Sequence, residues 1–338
     1  MNKKILIFGN TGFVGSWLSL ALSLKKYKVL GISLKMKNRN YISNNILFKK
    51  KIPTIFANIN NLENVKKKIT KFKPNILIHL ASQPIVTASY KKPFSTFNTN
   101  ILGTVKILEL AKKIKSLSKI IIFTSDKVYK INSGNYLNET SCLGGFDPYS
   151  ASKSCQDIIS QTYSNNFIKN KIIILRAGNI IGGGDWGNDR LIVDYFKSLK
   201  SKKDFYIKNP NSIRPWQHIY EVISFLIKII KYKIKDKNNI FNLAPNKKNH
   251  VTCKNIISLL QRKNKKIKII KIKKKNKNFK ETSLLKISNS LVKKKLKWYP
   301  KINIKKAVNL TFEWYDNCYL KKNKDIFLFS IQQLKKNL

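Results

Sequence analysis

The sequence predicts an α/β protein: a Rossmann-type doubly wound parallel sheet with a smaller C-terminal substrate-binding lobe. Short β-branched runs alternate with longer helical stretches through the first half of the chain, as they do in parallel α/β sheets. Three glycines, Gly9, Gly12 and Gly15, stand between the first such run and the helical stretch that follows. At 338 residues the chain exceeds the size at which one core usually stops growing, so a second lobe is expected.

Seven short runs are predicted to form the strands of the main sheet, because they are rich in β-branched and apolar residues. They span residues 4–8, 28–32, 54–57, 76–80, 119–124, 171–176 and 240–243. Helical stretches begin near Gly15, Leu62, Phe94 and Ser150. The last strand would rejoin the sheet after an excursion. The predicted Rossmann domain therefore comprises residues 1–178 plus about 215–245, and the second lobe comprises about 179–214 plus 246–338.

Two C-terminal segments have compositions that predict whether they are exposed to solvent or packed against the core. The stretch 262–280 is so dense in lysine that it is predicted to be a solvated edge or loop. Residues 305–315 have helical apolar spacing and are predicted to form a packing helix.

The chain carries a formal net charge of +52, from 68 Lys and Arg against 16 Asp and Glu. Such a charge attracts polyanions. Only five of these cations are arginine, however, and Lys, Asn and Ile share A- and T-rich codons, so a drift in base composition explains the excess of lysine. Three of the arginines, Arg176, Arg190 and Arg214, lie in one motif-rich stretch, where a planar bidentate cation is useful. No physiological nucleic-acid partner is expected.

The cysteines, histidines and apolar segments indicate a cytoplasmic protein without a metal site. The four cysteines show no paired spacing, and three histidines are few for a metal site, which fits a reducing compartment. The N-terminus runs directly into a predicted strand and has no signal-peptide pattern. No apolar run approaches the ~18 residues typical of a membrane span, so no membrane partner is expected.

The glycine turn is the first candidate ligand site. Glycines at positions 9, 12 and 15 would let the turn tighten and let the backbone approach a pyrophosphate. The amides at the N-terminus of the following helix would then bind the phosphate oxygens. This pattern is typical of dinucleotide-binding proteins.

The predicted adenosine end of this site is less regular. Ser33 stands at the end of the second strand, where an acid would bind the ribose of NAD. Because Lys35, Lys37 and Arg39 follow it, NADP is left open beside NAD. Asn58 stands where an acidic side chain often meets the adenine, and its amide can replace that hydrogen bond.

A tyrosine and a lysine in the segment DPYSASK form the second candidate site. Tyr149 and Lys153 are four residues apart, so they share one face of a helix. A phenol with a pKa near ~10 is a weak base at neutral pH, but the adjacent ammonium and a cationic nicotinamide favour the phenolate. The pKa of Tyr149 is therefore predicted to be lowered. The motif follows the strand ending at residues 124–127, at the carboxyl edge where such sheets bind ligands.

Taken in order, the motifs resemble those of the extended short-chain dehydrogenase/reductases, and among these the dehydratases of CDP-glucose. Besides the glycine turn they are HLASQP (79–84), NTNILGT (98–104), TSDKVY (124–129), DPYSASK (147–153), RAGNIIGGGDW (176–186), NDR (188–190) and IRPWQHI (213–219). KETSLLKIS (280–288) and LKWYP (296–300) match more loosely. The likeness covers nearly the whole chain. The Asp-Lys pair after the strand, GGGDW and RPWQH are the motifs that point to the dehydratase.

The resemblance implies a bound dinucleotide, NAD or NADP, and a nucleotide-sugar substrate in the second lobe. The implied cofactor contacts are Gly9, Thr11, Gly12, Phe13, Val14, Gly15, Asn58, Ile59, Leu80, Ala81, Gln83, Asn100, Thr124, Tyr149 and Lys153. The implied substrate contacts are Ser125, Asn179, Arg190, Arg214 and His218. Arg190 and Arg214 are expected to clamp the diphosphate or ribose, because a guanidinium matches phosphate geometry.

The resemblance also implies a catalytic set. Tyr149 would take the proton of the sugar 4-hydroxyl, with Ser125 bound to that hydroxyl and Lys153 holding the cofactor ribose. Lys127 would then remove the C5 proton while Asp126 protonates the departing 6-hydroxyl. These roles require a protonated Asp126 and a partly neutral Lys127, so both side chains are expected to be buried. Ser125 replaces the threonine usual in the family and preserves the hydroxyl.

Other functions stay open on the sequence. The dehydratases of dTDP-glucose and GDP-mannose carry a glutamate where Lys127 stands, and a C4 epimerase lacks the acid and base pair. A nonenzymatic nucleotide-sensing or nucleic-acid-binding module is a third alternative, against which the joint retention of the catalytic set speaks. From the resemblance a homodimer is expected, paired through the helices near Phe94 and Ser150.

Overall fold

The computed structural model describes residues 3–35, 52–130, 134–168, 171–234, 239–271, 282–322 and 325–338. The strands are β1 (Lys4–Phe8), β2 (Lys28–Ser33), β3 (Thr54–Phe56), β4 (Ile76–His79), β5 (Lys119–Phe123), β6 (Ile172–Ala177), β7 (Asn179–Ile181), β8 (Phe205–Ile207), β9 (Ile213–His218), β10 (Ile240–Leu243), β11 (His250–Thr252) and β12 (Ile269–Lys271).

The α-helices are α1 (Phe13–Leu24), α2 (Glu63–Phe72), α3 (Val86–Lys91), α4 (Pro93–Phe97), α5 (Gly103–Lys112), α6 (Pro148–Asn166), α7 (Leu191–Ser201), α8 (Ile219–Lys231), α9 (Cys253–Gln261), α10 (Ser290–Leu296), α11 (Ile304–Tyr315) and α12 (Ile326–Asn337). Asn98–Leu102 and Asp316–Leu320 are π-helical turns, and Asp126–Val128 and Lys247–Asn249 are 3₁₀ turns.

The main sheet of the described residues has seven parallel strands in the order β10-β6-β5-β4-β1-β2-β3. The chain runs outward from β1 to β3 and then crosses back to β4, so the strand order reverses beside β1. In such sheets ligands bind at the carboxyl ends of the strands next to this reversal. The glycine turn follows β1 and the segment TSDK follows β5, so both candidate sites lie at this edge.

Both faces of the sheet are covered, which explains the uninterrupted apolar runs of its strands. Ile5 and Ile7 of β1 are fully buried in one cluster with α1 and α8, whereas Leu6 and Phe8 are fully buried in a second cluster with α2 and α5. Alternate residues of one strand therefore meet helices on opposite faces.

The predicted doubly wound parallel sheet is confirmed. Its seven strands are the seven predicted runs, with ends that differ by one residue at most. The helices predicted near Gly15, Leu62, Phe94 and Ser150 are α1, α2, α4 and α6, which begin within two residues of those positions.

Two small sheets that the sequence did not predict join the excursion between β6 and β10 to segments that follow β10. In one, β9 pairs in parallel with β7 and antiparallel with β11. In the other, β8 pairs in parallel with β12. Except for β9 these strands have only three residues, too few for a periodic pattern. A domain boundary at about 215 falls inside β9, so the chain returns to the main sheet through α8 and β10.

The two C-terminal predictions concern α11 and the lysine-rich stretch. The packing helix predicted at 305–315 is α11, in which Trp314 and Tyr315 are fully buried. Within the lysine-rich stretch, β12 forms one side of a two-stranded sheet, and residues 272–280 lie outside the described residues. No described helix is long and apolar enough to cross a membrane.

Candidate active site

Two positions of the turn between β1 and α1 require glycine. Gly9 has a φ of +87°, and a Cβ on it would lie 2.7 Å from the backbone nitrogen of Ala81. A Cβ on Gly15 would lie 2.1 Å from the carbonyl oxygen of Gly9. Helix α1 begins at Phe13 after Gly12, which provides no side-chain cap. The first amides of α1 therefore keep their donors for a ligand, in a cradle that fits a pyrophosphate.

Several predicted cofactor contacts lie together beside this turn. Ala81 touches Gly9, and the backbone N–H of Leu80 donates to the last residue of β1 at 2.9 Å. Asn100, in the π-helical turn, accepts a hydrogen bond from the backbone N–H of Gln83 at 2.8 Å and donates to its carbonyl oxygen at 3.1 Å. Residues from three separate motifs thus form one wall of the site.

At the adenosine end, two hydroxyls replace the acid usual in NAD-binding folds. The hydroxyl oxygens of Thr11 and Ser33 lie 2.5 Å apart, and Thr11 also donates to the carbonyl oxygen of Leu34 at 3.4 Å. Lys35 is exposed beside them, whereas positions 37 and 39 lie outside the described residues. The side chain of Asn58 is exposed, and its oxygen accepts from the backbone N–H of Asn60 at 3.0 Å, so its amide nitrogen is the donor suited to adenine.

A 3₁₀ turn after β5 presents the predicted acid and base. Thr124 is buried and donates to the carbonyl oxygen of Leu175 at 3.2 Å. Ser125 caps the turn by accepting from the backbone N–H of Lys127 at 3.2 Å, and its hydroxyl donates to Asp126 at 3.0 Å. The turn therefore directs these neighbouring side chains toward one region.

Asp126 has the electrostatics that its predicted role requires. Its carboxyl is 2% exposed, and its second oxygen, Oδ2, has no hydrogen-bond partner among the described residues. Burial raises the pKa of Asp126 to about 6, although the charges of Lys127 and Arg214 and the Ser125 hydrogen bond oppose this rise. Lys127 is half-buried, so the expectation of burial is met fully by Asp126 and only partly by Lys127.

Tyr149 lies in the first turn of α6, which is well capped. Asp147 accepts from the backbone N–H of Ser150 at 2.9 Å, and Pro148 occupies the first helical position. Burial raises the pKa of Tyr149 to about 12, against a hydrogen bond with Ser125 and the charge of Arg190. The prediction of a lowered pKa is therefore wrong for the polypeptide by itself, because desolvation of the phenolate outweighs the nearby cations.

Lys153 lies one turn further along α6 and is 3% exposed. Its Nζ donates to Oε1 of Gln156 at 2.8 Å and to the carbonyl oxygen of Phe123 at 3.4 Å. Burial lowers the pKa of Lys153 to about 7. Sequence analysis did not identify Gln156, although its spacing of three from Lys153 on one helix face was the available signal.

A buried ion pair behind the catalytic helix was also missed. Arg176 on β6 binds Asp157 of α6 through two hydrogen bonds of 2.9 Å, and both side chains are at most 2% exposed. Arg176 also donates to the Tyr129 hydroxyl at 3.0 Å, and Tyr129 donates to Asn242 at 2.5 Å. The Thr124 hydroxyl lies 3.3 Å from Asp157, an alternative acceptor to the carbonyl oxygen of Leu175, so this network reaches α6, β6 and both ends of the segment 124–129.

Arg190, from the segment that was predicted to belong to the second lobe, lies near enough to Tyr149 to lower its pKa. Arg190 binds Asp185 at 2.6 Å, with 31% of the arginine side chain exposed. The hydroxyl of Tyr315 donates to the carbonyl oxygen of Asp185, which anchors the pair to α11. Because one guanidinium nitrogen binds Asp185 and a third of the side chain is open, Arg190 can bind an anion next to Tyr149.

The three other predicted substrate contacts, Arg214, His218 and Asn179, are buried or half-buried. Arg214 is 3% exposed and donates to the carbonyl oxygens of Ile213 at 2.9 Å and Thr282 at 2.5 Å. His218 is 1% exposed and caps α8, where its Nδ1 accepts from the backbone N–H of Tyr220 at 3.3 Å. Asn179 is half-buried at the start of β7. Their contacts with a nucleotide sugar stay predictions.

The cradle at α1 fits a dinucleotide, and the Tyr-Lys pair on α6 has the spacing that the sequence predicted for a site of the short-chain dehydrogenase/reductase type. Among the described residues no group of His, Cys, Asp and Glu side chains could hold a metal ion. The family model described as GDP-mannose 4,6 dehydratase matches residues 6–311. The chain belongs to this family.

Individual relatives agree with this membership. The chain is 36% identical over 231 residues to a CDP-glucose 4,6-dehydratase of Salmonella typhimurium, covering 66% of this chain and 64% of the relative. It is 31% identical over 274 residues to a dTDP-D-glucose 4,6-dehydratase of Dictyostelium discoideum, covering 72% and 58%. The chain thus spans less than two thirds of the length of both. A crystal structure of UDP-glucuronic acid 4-epimerase from Bacillus cereus, in complex with UDP-glucuronic acid and NAD, shares the fold, with a TM-score of 0.81, 22% identity and coverage of 94% and 100%.

Proposed function

We propose that the protein is an NAD-dependent nucleotide-sugar 4,6-dehydratase that converts CDP-D-glucose to CDP-4-dehydro-6-deoxy-D-glucose. The observation that carries the proposal is the buried carboxyl of Asp126, followed by Lys127 and close enough to Tyr149 to affect its pKa. This adds an acid and a base to an oxidoreductase site. An epimerase or simple reductase needs no such pair. CDP-glucose is favoured because the Salmonella relative, at 36% identity, carries that name.

The residues around the glycine turn fit a dinucleotide. The amides after Gly12 would bind the pyrophosphate, the Thr11–Ser33 hydroxyls would meet the adenosine ribose, and Lys153 would hold the second ribose. NAD, present in the Bacillus cereus epimerase complex, would supply the acceptor for the C4 hydride and return that hydride to C6. The neutral Thr11–Ser33 pair suits an unphosphorylated ribose, which supports NAD over NADP.

The first step requires removal of the proton from the sugar 4-hydroxyl. The Tyr149 oxygen, whose pKa the neighbouring Ser125 hydroxyl lowers, is the base for that proton. Because burial holds the pKa of Tyr149 near about 12, additional positive charge beside the ring is needed to form the phenolate at neutral pH. The charge of Arg190 already acts on Tyr149 at this pKa, so the additional charge would come from the cationic nicotinamide of the bound cofactor, and Ser125 would orient the hydroxyl by a hydrogen bond.

The second step requires a base at C5 and an acid at the 6-hydroxyl. Oxidation at C4 acidifies the C5 proton, which Lys127 would remove. With a pKa of about 6, Asp126 is about one-tenth protonated at pH 7, far more than an ordinary aspartic acid, and its unpartnered Oδ2 can donate that proton to the leaving hydroxyl. The departing group then leaves as water.

A homodimer and a cytoplasmic location belong to the same proposal. Phe94 is 80% exposed on α4, and Leu102 and Ile158 are each 50% exposed on the π-helical turn and α6. A second copy of the chain would cover these side chains. The cysteines Cys142, Cys155, Cys253 and Cys318 form no disulfide, which fits a reducing compartment. No physiological nucleic-acid or membrane partner is proposed.

The test is incubation of purified protein and catalytic NAD with CDP-glucose, dTDP-glucose and GDP-mannose in parallel. The 4-keto product is followed by its ultraviolet absorbance in alkali. We expect turnover of CDP-glucose and little or none of the other two. Turnover of a different substrate would correct the nucleotide sugar, and inactivity of folded, NAD-binding protein on all three would refute the dehydratase reaction.

A further inference from the structure

The buried ammonium of Lys153 is bound by oxygen atoms that carry no formal charge. Its acceptors are Oε1 of Gln156 at 2.8 Å and the carbonyl oxygen of Phe123 at 3.4 Å. Asp157 is the next residue after Gln156, but its carboxylate is committed to Arg176 through two hydrogen bonds. The stronger acceptor of Lys153 is therefore a side-chain amide, and not a counter-ion.

The orientation of that amide follows from its neighbours. Nε2 of Gln156 donates to the hydroxyl oxygen of Thr104 at 3.0 Å, and the Thr104 hydroxyl donates its proton to the carbonyl oxygen of Asn100 at 2.7 Å. A flipped amide would place an N–H group against the ammonium, two donors facing each other. The flip is therefore disfavoured, and Thr104 holds the amide oxygen toward Lys153.

A histidine completes this hydrogen-bond chain. Nε2 of His79 lies 3.0 Å from the Thr104 oxygen. Since the Thr104 proton is already donated to Asn100, the His79 Nε2 must carry the hydrogen in this contact. His79 is fully buried, and burial, together with the charge of Lys153, lowers its pKa to about 3. The imidazole is therefore neutral, and the chain from Lys153 to His79 contains no second charge.

The hydrogen-bond chain from Lys153 to His79 joins three elements of secondary structure, which meet beside the π-helical turn. Gln156 and Lys153 lie on α6, Thr104 begins α5 directly after the π-helical turn, and His79 ends β4. Charged and titratable side chains on the elements packed against α6 include His79 on β4, Asp126 and Lys127 in the 3₁₀ turn, Arg176 on β6, Lys106, Glu109 and Lys112 on α5, Tyr90 and Lys91 on α3, and Tyr149, Cys155, Asp157 and Tyr163 on α6 itself.

We propose that Gln156 is a positioning residue for Lys153: an uncharged acceptor, oriented by Thr104, that holds the ammonium without neutralising it. A carboxylate in this position would form an ion pair with Lys153 and cancel its charge. The amide leaves that charge available to the cofactor ribose and the phenolate of Tyr149. The inference rests on the proposed role of Lys153 at the cofactor, but not on the identity of the nucleotide sugar.

The test measures the affinity for NADH between pH 6 and 9, by the fluorescence change on binding. Deprotonation of Lys153 is expected to weaken binding in the unmodified protein as the pH rises through about 7, the pKa of this group. In Gln156→Glu the new carboxylate favours the charged lysine, so the midpoint moves up by about one pH unit or more. Gln332→Glu, an exposed change of the same charge on α12, is the matched control and leaves the midpoint in place.

A second variant gives the opposite sign. Gln156→Met keeps the length of the side chain and removes the strong acceptor, so the charged lysine is less favoured and the midpoint falls below that of the unmodified protein. Thr104→Val, which removes the anchor of the amide, shifts it in the same downward direction, and Thr104→Ser restores it. A purely structural role of Gln156 would move both Gln156 variants in one direction.

Two results would overturn the proposal: identical pH profiles for Gln156→Glu, Gln156→Met and the unmodified protein, or shifts of the same sign in both variants. If one Gln156 variant does not fold, as judged by circular dichroism and thermal melting, the other variant and Thr104→Val decide. Because the readout is cofactor binding, a wrong nucleotide sugar or a wrong reaction leaves the outcome unaffected.

Discussion

Two buried aspartates, Asp157 on α6 and Asp126 in the 3₁₀ turn after β5, have opposite surroundings. Asp157 is fully buried and both of its oxygens bind Arg176, whose remaining donors reach Tyr129 and the carbonyl oxygen of Glu139. Asp126 is almost as deeply buried, yet Oδ2 has no partner among the described residues and its pKa is raised to about 6. The carboxylate of Asp157 is saturated with hydrogen bonds, whereas the carboxyl of Asp126 can gain or lose a proton near neutral pH.

The difference distinguishes an aspartate that supports the fold, Asp157, from one that can transfer a proton, Asp126. A buried carboxylate with a paired arginine stays ionised and holds three elements together, which suits a residue that must not move. A buried carboxyl with one unpartnered oxygen is destabilising when ionised, and a protein keeps such a group where the proton is used. The Asp185–Arg190 pair lies between these extremes, because it is bound at 2.6 Å but partly open to solvent.

The largest effect on stability is expected from the saturated pair. Asp157→Ala leaves the guanidinium of Arg176 buried without its counter-ion, so the free energy of unfolding should fall by about 3–5 kcal/mol. Urea denaturation at pH 7 measures this. The control is Asp316→Ala, which removes a pair whose lysine is 61% exposed and should change stability by less than about 1 kcal/mol. Equal losses in the two variants would contradict the supporting role of Asp157.

The next largest effect on the free energy of unfolding is expected at Asp126, where substitution should stabilise the protein and not destabilise it. Because the folded protein raises the pKa of Asp126 from 3.8 to about 6, ionisation destabilises the fold once the pH exceeds the unfolded value, and this cost is complete above about 6. Asp126→Asn removes the cost. It should stabilise the protein by up to about 3 kcal/mol at pH 8 and not at pH 3.5, where the carboxyl is protonated in both states.

The same substitution should abolish release of the 6-hydroxyl while leaving binding of NADH intact. Urea denaturation at pH 8 and at pH 3.5 checks the first claim, and the alkaline absorbance assay checks the second. A variant with normal turnover, or one whose stability relative to the unmodified protein is the same at both values of pH, would count against a proton-donating Asp126.

The Asp185–Arg190 pair, which is partly open to solvent, should affect binding of CDP-glucose more than the stability of the fold. Arg190→Lys keeps a positive charge but loses the planar fork, so the KM for CDP-glucose should rise about tenfold or more, with unfolding changed by less than about 1 kcal/mol. Arg262→Lys, at an exposed position after α9, is the matched control and should leave KM unchanged. A loss of stability comparable to that of Asp157→Ala would place Arg190 with the supporting residues instead.

The smallest effect is expected at Tyr129, which touches the saturated pair from its edge. Tyr129→Phe removes the hydroxyl that accepts from Arg176 and donates to Asn242, at a cost of about 1 kcal/mol in the free energy of unfolding. Tyr299→Phe, at a side chain that is 54% exposed, should be neutral. If turnover falls while stability does not, the network positions the segment 124–129 rather than supporting the whole fold.

Features of the molecule that depend on neighbours in sequence were predictable. The seven strands of the main sheet follow from short apolar runs, because burial of both faces removes any need for alternating polar residues. The glycine turn follows from three glycines at fixed spacing, and the shared helix face of Tyr149 and Lys153 follows from their separation of four. Asp126 and Lys127 were identified through the resemblance to the family, which carried information that their local sequence does not contain.

Features that depend on distant partners were decided by the tertiary structure. The Arg176–Asp157 pair joins residues 19 apart, and the contact of Gln156 with Thr104 joins residues 52 apart. In the polypeptide alone the pKa of Tyr149 is raised and not lowered, because the cations were visible in the sequence while the depth of burial was not; the effect of a bound nicotinamide stays a prediction. The three-residue strands of the second lobe are defined by pairing with strands elsewhere in the chain. The sequence determined the main sheet and its ligand-binding edge through local patterns of residues. Hydrogen bonding between distant segments decided that Asp157 is the paired carboxylate, and desolvation decided that Lys153 and Tyr149 resist ionisation.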